Sequence, residues 1–271
     1  MEINKITEVN NIVQSVIKEF SVSLEEKFKK DLSKANGIIN RKGNNVFISE
    51  LGSDFMFNSA FMRSFDSSLG NVLENMGNKI AGLFYDVRNE INSFILPEQQ
   101  QHISNIMGSY DQHTKPEMSH YTNNVFIIPK DVTSFQCVHQ TDNYFYDDET
   151  KTHYLIELKA GGDLDNKKSR AEKVELLKEY YLLKNQISQN ENVKIFFATA
   201  YNKDGEGNNW KQERVRQFFA EEELLIGKYY WDFVCKDKDG FNVIIDQYKK
   251  NAVIIKEAIE RIKKMFKEVN V

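Results

Sequence analysis

Cysteine is nearly absent from this sequence. The two that occur, Cys137 and Cys235, stand far apart without CxxC spacing, which argues against a cysteine zinc site or a disulfide scaffold and leaves them as buried thiols. Proline is also scarce, at three residues, and no stretch rich in serine, glycine and proline marks a linker. No apolar run approaches the ~20 residues of a membrane span. The opening MEINKITEVN has neither the basic nor the apolar segment of a secretion signal, so the expectation is a cytoplasmic protein with no membrane contact. An excess of positive charge is missing too: 36 Lys and Arg against 40 Asp and Glu give a formal net charge of −4. That argues against a surface basic all over, but local basic patches remain free to meet phosphate.

What is present is a globular composition, 41% hydrophobic and 12% aromatic, in a chain of 271 residues long enough to bury a full core. The stretch from His139 to Lys168 carries the chemistry. Two strand-like runs, Asn143 to Tyr146 and His153 to Lys159, flank a polar turn over 147–152, which is a β-hairpin signal. If Tyr146 faces His153, opposed residue numbers share one sum, and Asp142 falls opposite Glu157. Alternation along the strand then puts Glu157 and Lys159 on one face, with Ile156 and Leu158 on the other, towards a core.

Two carboxylates with a lysine two residues beyond the second suit a hard divalent cation, Mg2+ with Mn2+ as a substitute, and an activated water. Lys159 can orient or deprotonate that water, or neutralise charge on the phosphoryl group. The reaction that needs this set is phosphodiester hydrolysis, and the pattern resembles the PD-(D/E)xK nuclease motif. The competing reading is an exposed strand edge, because an acid-x-Lys triplet also arises by chance. Among nearby acids, Asp147 and Asp148 lie in the turn, roughly 13–17 Å from the Glu157 level at ~3.3 Å per residue. Asp163 and Asp165 follow two glycines in a loop, a poor place to fix a ligand. Asp142 is the first acid on this reading.

The rest of the chain supplies the frame. Helices are expected over Ile3 to Phe20 and from a capping box at Ser23-x-x-Glu26. Another is expected over Arg63 to Phe84, where Glu74 is either a surface residue or a third carboxylate, and Arg63 can meet phosphate. A further helix is read from Lys79 to Phe94, closed by Pro97. Glu98 to Met118 reads as irregular, with His102, His113 and His120 as loop or surface residues. Asn124 to Ile128 reads as a strand. After Lys159, Gly161 and Gly162 permit a sharp turn, and a capping box at Ser169-x-x-Glu172 opens a helix through Leu176, Tyr180, Leu183 and Ile187. Asn192 to Ala200 is a buried strand, so strand, helix and strand form a right-handed parallel crossover. Trp210 to Leu225 reads as a helix, Phe241 to Ile245 as a last strand and Asn251 to Val269 as an amphipathic helix. Candidate phosphate contacts are Lys167, Lys168 and Arg170, with Lys203, Asn208, Lys211 and Arg214 in the segment after the crossover strand; each is as readily a solvated surface residue.

ELKAGGDLDNKK from Glu157, FATAYNKDGEGNNWKQERVRQFF from Phe197, ELLIGKYYWDF from Glu223 and RSFDSSLGNVLE from Arg63 resemble the TdeIII family of type II restriction endonucleases, over roughly residues 60–235. The resemblance implies an α/β fold, a restriction-endonuclease-like mixed β-sheet core (αβββαβ) flanked by helices. It implies one nuclease domain over 1–271, with a helical N-terminal layer to 60, a catalytic core over 61–235 and a C-terminal strand and helix over 236–271. It implies Asp142, Glu157 and Lys159 as catalytic, Glu74 as a helper carboxylate, and Mg2+ held by Asp142, Glu157 and Glu74. It further implies a homodimer on double-stranded DNA and a companion DNA methyltransferase. A short palindromic target is implied as well, of which a GGNCC-like site is one form. The motif departs from its name at Thr141, which stands where a proline precedes the first acid. A repair or recombination nuclease of the same core, and a DNA-binding protein that does not cut, are the alternative readings.

Overall fold

The structure, a computed structural model, describes residues 1–34, 36–128 and 137–269, and within these not the side chains of Cys137, Asp142 and Val269. In chain order the elements are α1 (Ile3–Leu32), α2 (Ile38–Lys42), α3 (Val46–Ser49), α4 (Ser53–Ala81), β1 (Asp86–Ser93), α5 (Pro97–Asp111), α6 (Ser119–Thr122), β2 (Cys137–Asp147), β3 (Thr152–Lys159), α7 (Asn166–Gln186), β4 (Asn192–Thr199), α8 (Glu213–Arg216), β5 (Leu224–Ile226), α9 (Lys228–Val234) and α10 (Gly240–Val269). They fall into two compact units, one of residues 1–79 with 241–271 and one of residues 80–240. Among the described residues no helix is long and apolar enough to cross a membrane.

The first unit is built on three long helices. α1 runs unbroken through Ser23, so the expected second start there is wrong: Val16, Ile17, Phe20, Leu24 and Phe28 continue one buried stripe across it. Aromatic rings join the helices, with Phe28 of α1 at 5.1 Å from Phe61 of α4 and Phe57 of α4 at 4.2 Å from Phe266 of α10. The strand expected at Phe241 to Ile245 is the first part of α10 instead. Its β-branched residues belong to a helical face, since Ile244, Ile255, Ala258, Ile262 and Phe266 are all buried.

The second unit holds a five-stranded sheet in the order β1-β2-β3-β4-β5. β1 and β3 each pair antiparallel with β2, while β4 pairs parallel with β3 and with β5. The order α4, β1, β2, β3, α7, β4 is the expected αβββαβ, but its first strand lies elsewhere than the sequence suggests. Residues 86–93 form that strand and not a helix. Asp86, Arg88 and Glu90 on an edge strand hide the period-2 pattern while discouraging pairing with another chain. Asn124 to Ile128 is no strand, and Val125 and Ile127 are almost fully exposed. Pro97 opens α5 at its first turn, with Gln99 accepting from the Leu96 backbone N–H, so the stretch read as irregular is helical. Its buried stripe, Ile103, Ile106, Met107 and Tyr110, was masked by the glutamines and serines around it. The segment read as a helix over Trp210 to Leu225 makes the single turn of α8 and a 3-10 turn at Glu221–Glu223 before joining the sheet as β5. Val215, Phe218 and Phe219 are buried at helical spacing although the helix stops at Arg216, and Trp210 is buried ahead of it.

Both faces of the sheet are covered. Tyr144, Leu155, Ile195 and Phe197 share a core with Leu176, Leu177 and Tyr180 of α7. On the opposite face Tyr85, Tyr154 and Phe196 pack against Phe233 of α9, and Phe145 stacks on Tyr85. An ion pair with both partners buried, Lys173 Nζ to Glu223 Oε1 at 2.5 Å, ties α7 to the turn before β5, and Tyr121 donates to the same oxygen at 2.7 Å. The described thiol, Cys235, is buried as expected, and burial pushes it up to about 12.

Candidate active site

The hairpin register is the one the sequence predicts. Tyr146 faces His153, and Phe145–Tyr154 and Tyr144–Leu155 follow with the same sum. The turn is shorter than expected, since Asp147 is still in β2 and pairs with Thr152. Towards Asp142 the other edge of β2 changes: Arg88 of β1 faces Tyr144, but Glu90 faces Gln140. Thr141, Asp142 and Asn143 therefore stand across from Asn89 alone, in a bulge that carries two extra residues. Bulges of this kind bend a strand and re-aim its side chains, often beside active sites. Both polar atoms of the Asn143 amide, and the Thr141 hydroxyl, are buried with no hydrogen-bond partner among the described residues. The Asp142 side chain lies outside the described residues.

Glu157 and Lys159 share the α7 face of β3, near its C-terminal end, where open α/β sheets gather ligands. Lys159 Nζ lies 2.5 Å from Glu157 Oε1 and 2.9 Å from Glu172 Oε1. The capping box expected at Ser169 and Glu172 does not form. α7 begins earlier, at Asn166, capped by Asp165, whose Oδ1 accepts from Lys168 N–H at 2.8 Å, and Glu172 is left free to reach the sheet. One signal could have found it. Glu172 and Glu179 are seven residues apart, on one flank of the helix, and Glu179 likewise meets His139 of β2 at 3.1 Å. Burial alone would lower the Lys159 pKa, but the charge and hydrogen bond of Glu157, joined by Glu172, outweigh it and hold Lys159 above the ordinary lysine range. Lys159 is thus an ammonium ion shared by two carboxylates.

The loop after β3 closes over this end of the sheet. Gly162 has φ +70°, and a side chain there would meet Thr199 at 2.6 Å; one at Gly161 would meet the Tyr201 hydroxyl at 2.5 Å. Ala160 carbonyl accepts from Ala200 and Tyr201 N–H, and Lys203 pairs with Asp163 at 3.0 Å, so the loops after β3 and β4 are fastened to each other.

The other sequence-predicted residues are placed less closely. Glu74, half-buried, and Arg63, exposed, sit on α4 in the first unit, whereas Asp142, Glu157 and Lys159 are in the second. Lys167 and Lys168 are exposed on the first turn of α7, and Arg170 pairs with Asp111 at 3.0 Å. Asn208 Nδ2 donates to the Asp204 carbonyl at 2.8 Å, and Lys211 N–H donates to Asp204 Oδ2 at 2.8 Å. Arg214 is exposed.

As a donor set, Glu157 and Glu172 present hard oxygens that already converge on one cationic atom, which fits a divalent cation such as Mg2+. Among the described residues no group of three or more His, Cys, Asp and Glu side chains is arranged as a metal centre. No curated protein matches the chain. The family of type II restriction endonucleases described as HinfI does match, over residues 5–252. That match supports the class read from the sequence and names HinfI where the quoted stretches suggested TdeIII. With a carboxylate-flanked lysine at the end of a central strand and nearly the whole length matched, the chain belongs to the HinfI family of type II restriction endonucleases, and is a site-specific deoxyribonuclease.

Proposed function

We propose that the protein is a Mg2+-dependent restriction endonuclease, acting as a homodimer in the cytoplasm on a short palindromic site in double-stranded DNA, with a companion methyltransferase protecting that site. A GGNCC-like sequence is one such palindrome. The observation that carries this reading is the Lys159 ammonium between Glu157 and Glu172 at the C-terminal end of β3. Asp142 and Glu157 would hold Mg2+ or Mn2+, with Glu74 as the further acid, and the bound ion would supply charge neutralisation and an acidified water. Lys159, kept protonated, holds positive charge where it gathers on the phosphoryl oxygens. Because two carboxylates share the ammonium, Glu157 can serve the ion while Glu172 still positions Lys159. Lys167, Lys168, Arg170, Lys203, Asn208, Lys211, Arg214 and Arg63 are the proposed contacts to the duplex.

A palindrome matches a two-fold axis, so two protomers each cut one strand, and the two units together act as one nuclease. The test is digestion of plasmid DNA with Mg2+ and then with excess chelator, beside the mass of the protein on DNA. Discrete fragments that vanish with chelator, and a dimer mass, are the expected results. Undiminished cutting in chelator, smeared products or a strict monomer cutting both strands would count against the reading.

A further inference from the structure

The chain leaves α5 through a left-handed residue, a conformation uncommon outside glycine that histidine takes more readily than most side chains and that Lys151 and Lys236 also adopt here. Thr114 N–H donates to the Ser109 carbonyl at 3.1 Å and His113 N–H to the Tyr110 carbonyl at 2.9 Å, with His113 at φ +62°. These two bonds define a Schellman ending, whose left-handed residue is usually glycine because a Cβ crowds the backbone there. His113 is exposed, so core packing does not explain the choice. Strained residues held in place by their surroundings concentrate at functional sites.

His113 lines a groove of about 480 Å³ with Lys115, Asn166, Arg214 and Gln217. Its walls are fixed to one another: Gln217 Nε2 donates to the Tyr110 carbonyl at 3.1 Å, and Arg170 holds Asp111 at 3.0 Å. Arg216, also in the groove, is engaged by Glu221, and Glu213 is the one carboxylate among the lining residues. Lys115 and Arg214 are exposed and have no carboxylate partner among the described residues. Lys167 and Lys168 follow Asn166 on an exposed turn, so cations gather here in a chain whose formal net charge is −4. Asn166 precedes Glu172 by six positions on α7. That is about 9 Å along the axis at 1.5 Å per residue, so a strand reaching Lys159 passes the groove within its neighbouring nucleotides.

We propose that this groove seats the sugar–phosphate backbone of the DNA beside the cut, with Lys115 and Arg214 on phosphate oxygens and the His113 imidazole donating to the same strand. The inference rests on the nuclease reading above. Three proteins test it, the wild type, His113→Gly and the double variant Lys115→Ala/Arg214→Ala, by Tm, by DNA binding in Ca2+ across a salt series, and by cleavage in Mg2+. His113→Gly should melt about 2–4 °C higher as the strain is relieved. It should nevertheless bind DNA about tenfold more weakly, the worth of one hydrogen bond to a charged group. The double variant should lower the slope of log K against log salt by about 2, at roughly 0.9 per phosphate contact. A more stable His113→Gly that binds as wild type, a His113→Gly that loses binding and Tm together, or an unchanged salt slope would overturn the proposal. A wild type that binds DNA but cuts none would instead remove the nuclease reading, and one that neither binds nor cuts would remove both.

Discussion

Lys159→Ala should lower kcat by about 10²–10³-fold, the usual loss when one preorganised donor to developing charge is removed. Specific DNA binding should stay within a few-fold of wild type, because one charge among many phosphate contacts adds little affinity. The geometry sharpens this expectation. Lys159 sits at 2.5 Å and 2.9 Å from two carboxylates, so its loss leaves Glu157 and Glu172 facing one another with like charge. Lys159→Arg should rescue little, since a planar guanidinium does not fit the position of a point charge. Single-turnover cleavage beside equilibrium binding in Ca2+ separates the two quantities. Equal losses in kcat and affinity would show that Lys159 is a binding residue and not part of the chemistry.

Asp142→Asn should abolish metal-dependent cleavage, by about 10²-fold or more, because the amide keeps the size but loses the anionic ligand. Asp147→Asn should go on cutting. Asp147 is occupied elsewhere: it pairs with Lys236 at 2.9 Å and its Oδ1 accepts from Glu149 N–H at 3.1 Å, bracing the hairpin turn against the end of α9. Burial raises its pKa, but the hydrogen bond and charge of Lys236 outweigh that and hold it below the ordinary aspartate range. A carboxyl lowered in the folded state stabilises the fold at neutral pH, and that contribution is lost as pH falls through the lowered value. Asp147→Asn should therefore be less stable at neutral pH, with a flatter loss of stability into acid, while its cleavage pattern is unchanged. An active Asp142→Asn with an inactive Asp147→Asn would place the first acid at the far end of β2, beside the turn.

The part of the fold legible in the sequence is the part governed by short-range periodicity. The hairpin register followed from alternation on either side of a polar turn, and the crossover from β3 through α7 to β4 followed from Leu176, Tyr180 and Leu183 at helical spacing. Elements decided by tertiary partners were not legible. β1 is a charged edge strand held by β2, and α5 hides four buried apolar residues among glutamines and serines. Phe241 to Ile245 looks extended until Ile255, Ile262 and Phe266 show the helical face it begins. At the site, Glu157 and Lys159 were readable because they share one strand face. Glu172 was not, because its partner is set by how α7 crosses β3, and the same sequence also satisfies a capping-box pattern. His113 read as an ordinary loop histidine, since its positive φ depends on hydrogen bonds back into α5.

The carboxylate and lysine pair on β3 should cut DNA at one specific sequence. Sequencing the ends of DNA digested by the wild type and by Glu157→Gln, prepared identically, tests it most directly. Every wild-type end should map to a single two-fold symmetric sequence, and Glu157→Gln should yield no such ends. Ends scattered without a common sequence, or the same ends from Glu157→Gln at an undiminished rate, would contradict it.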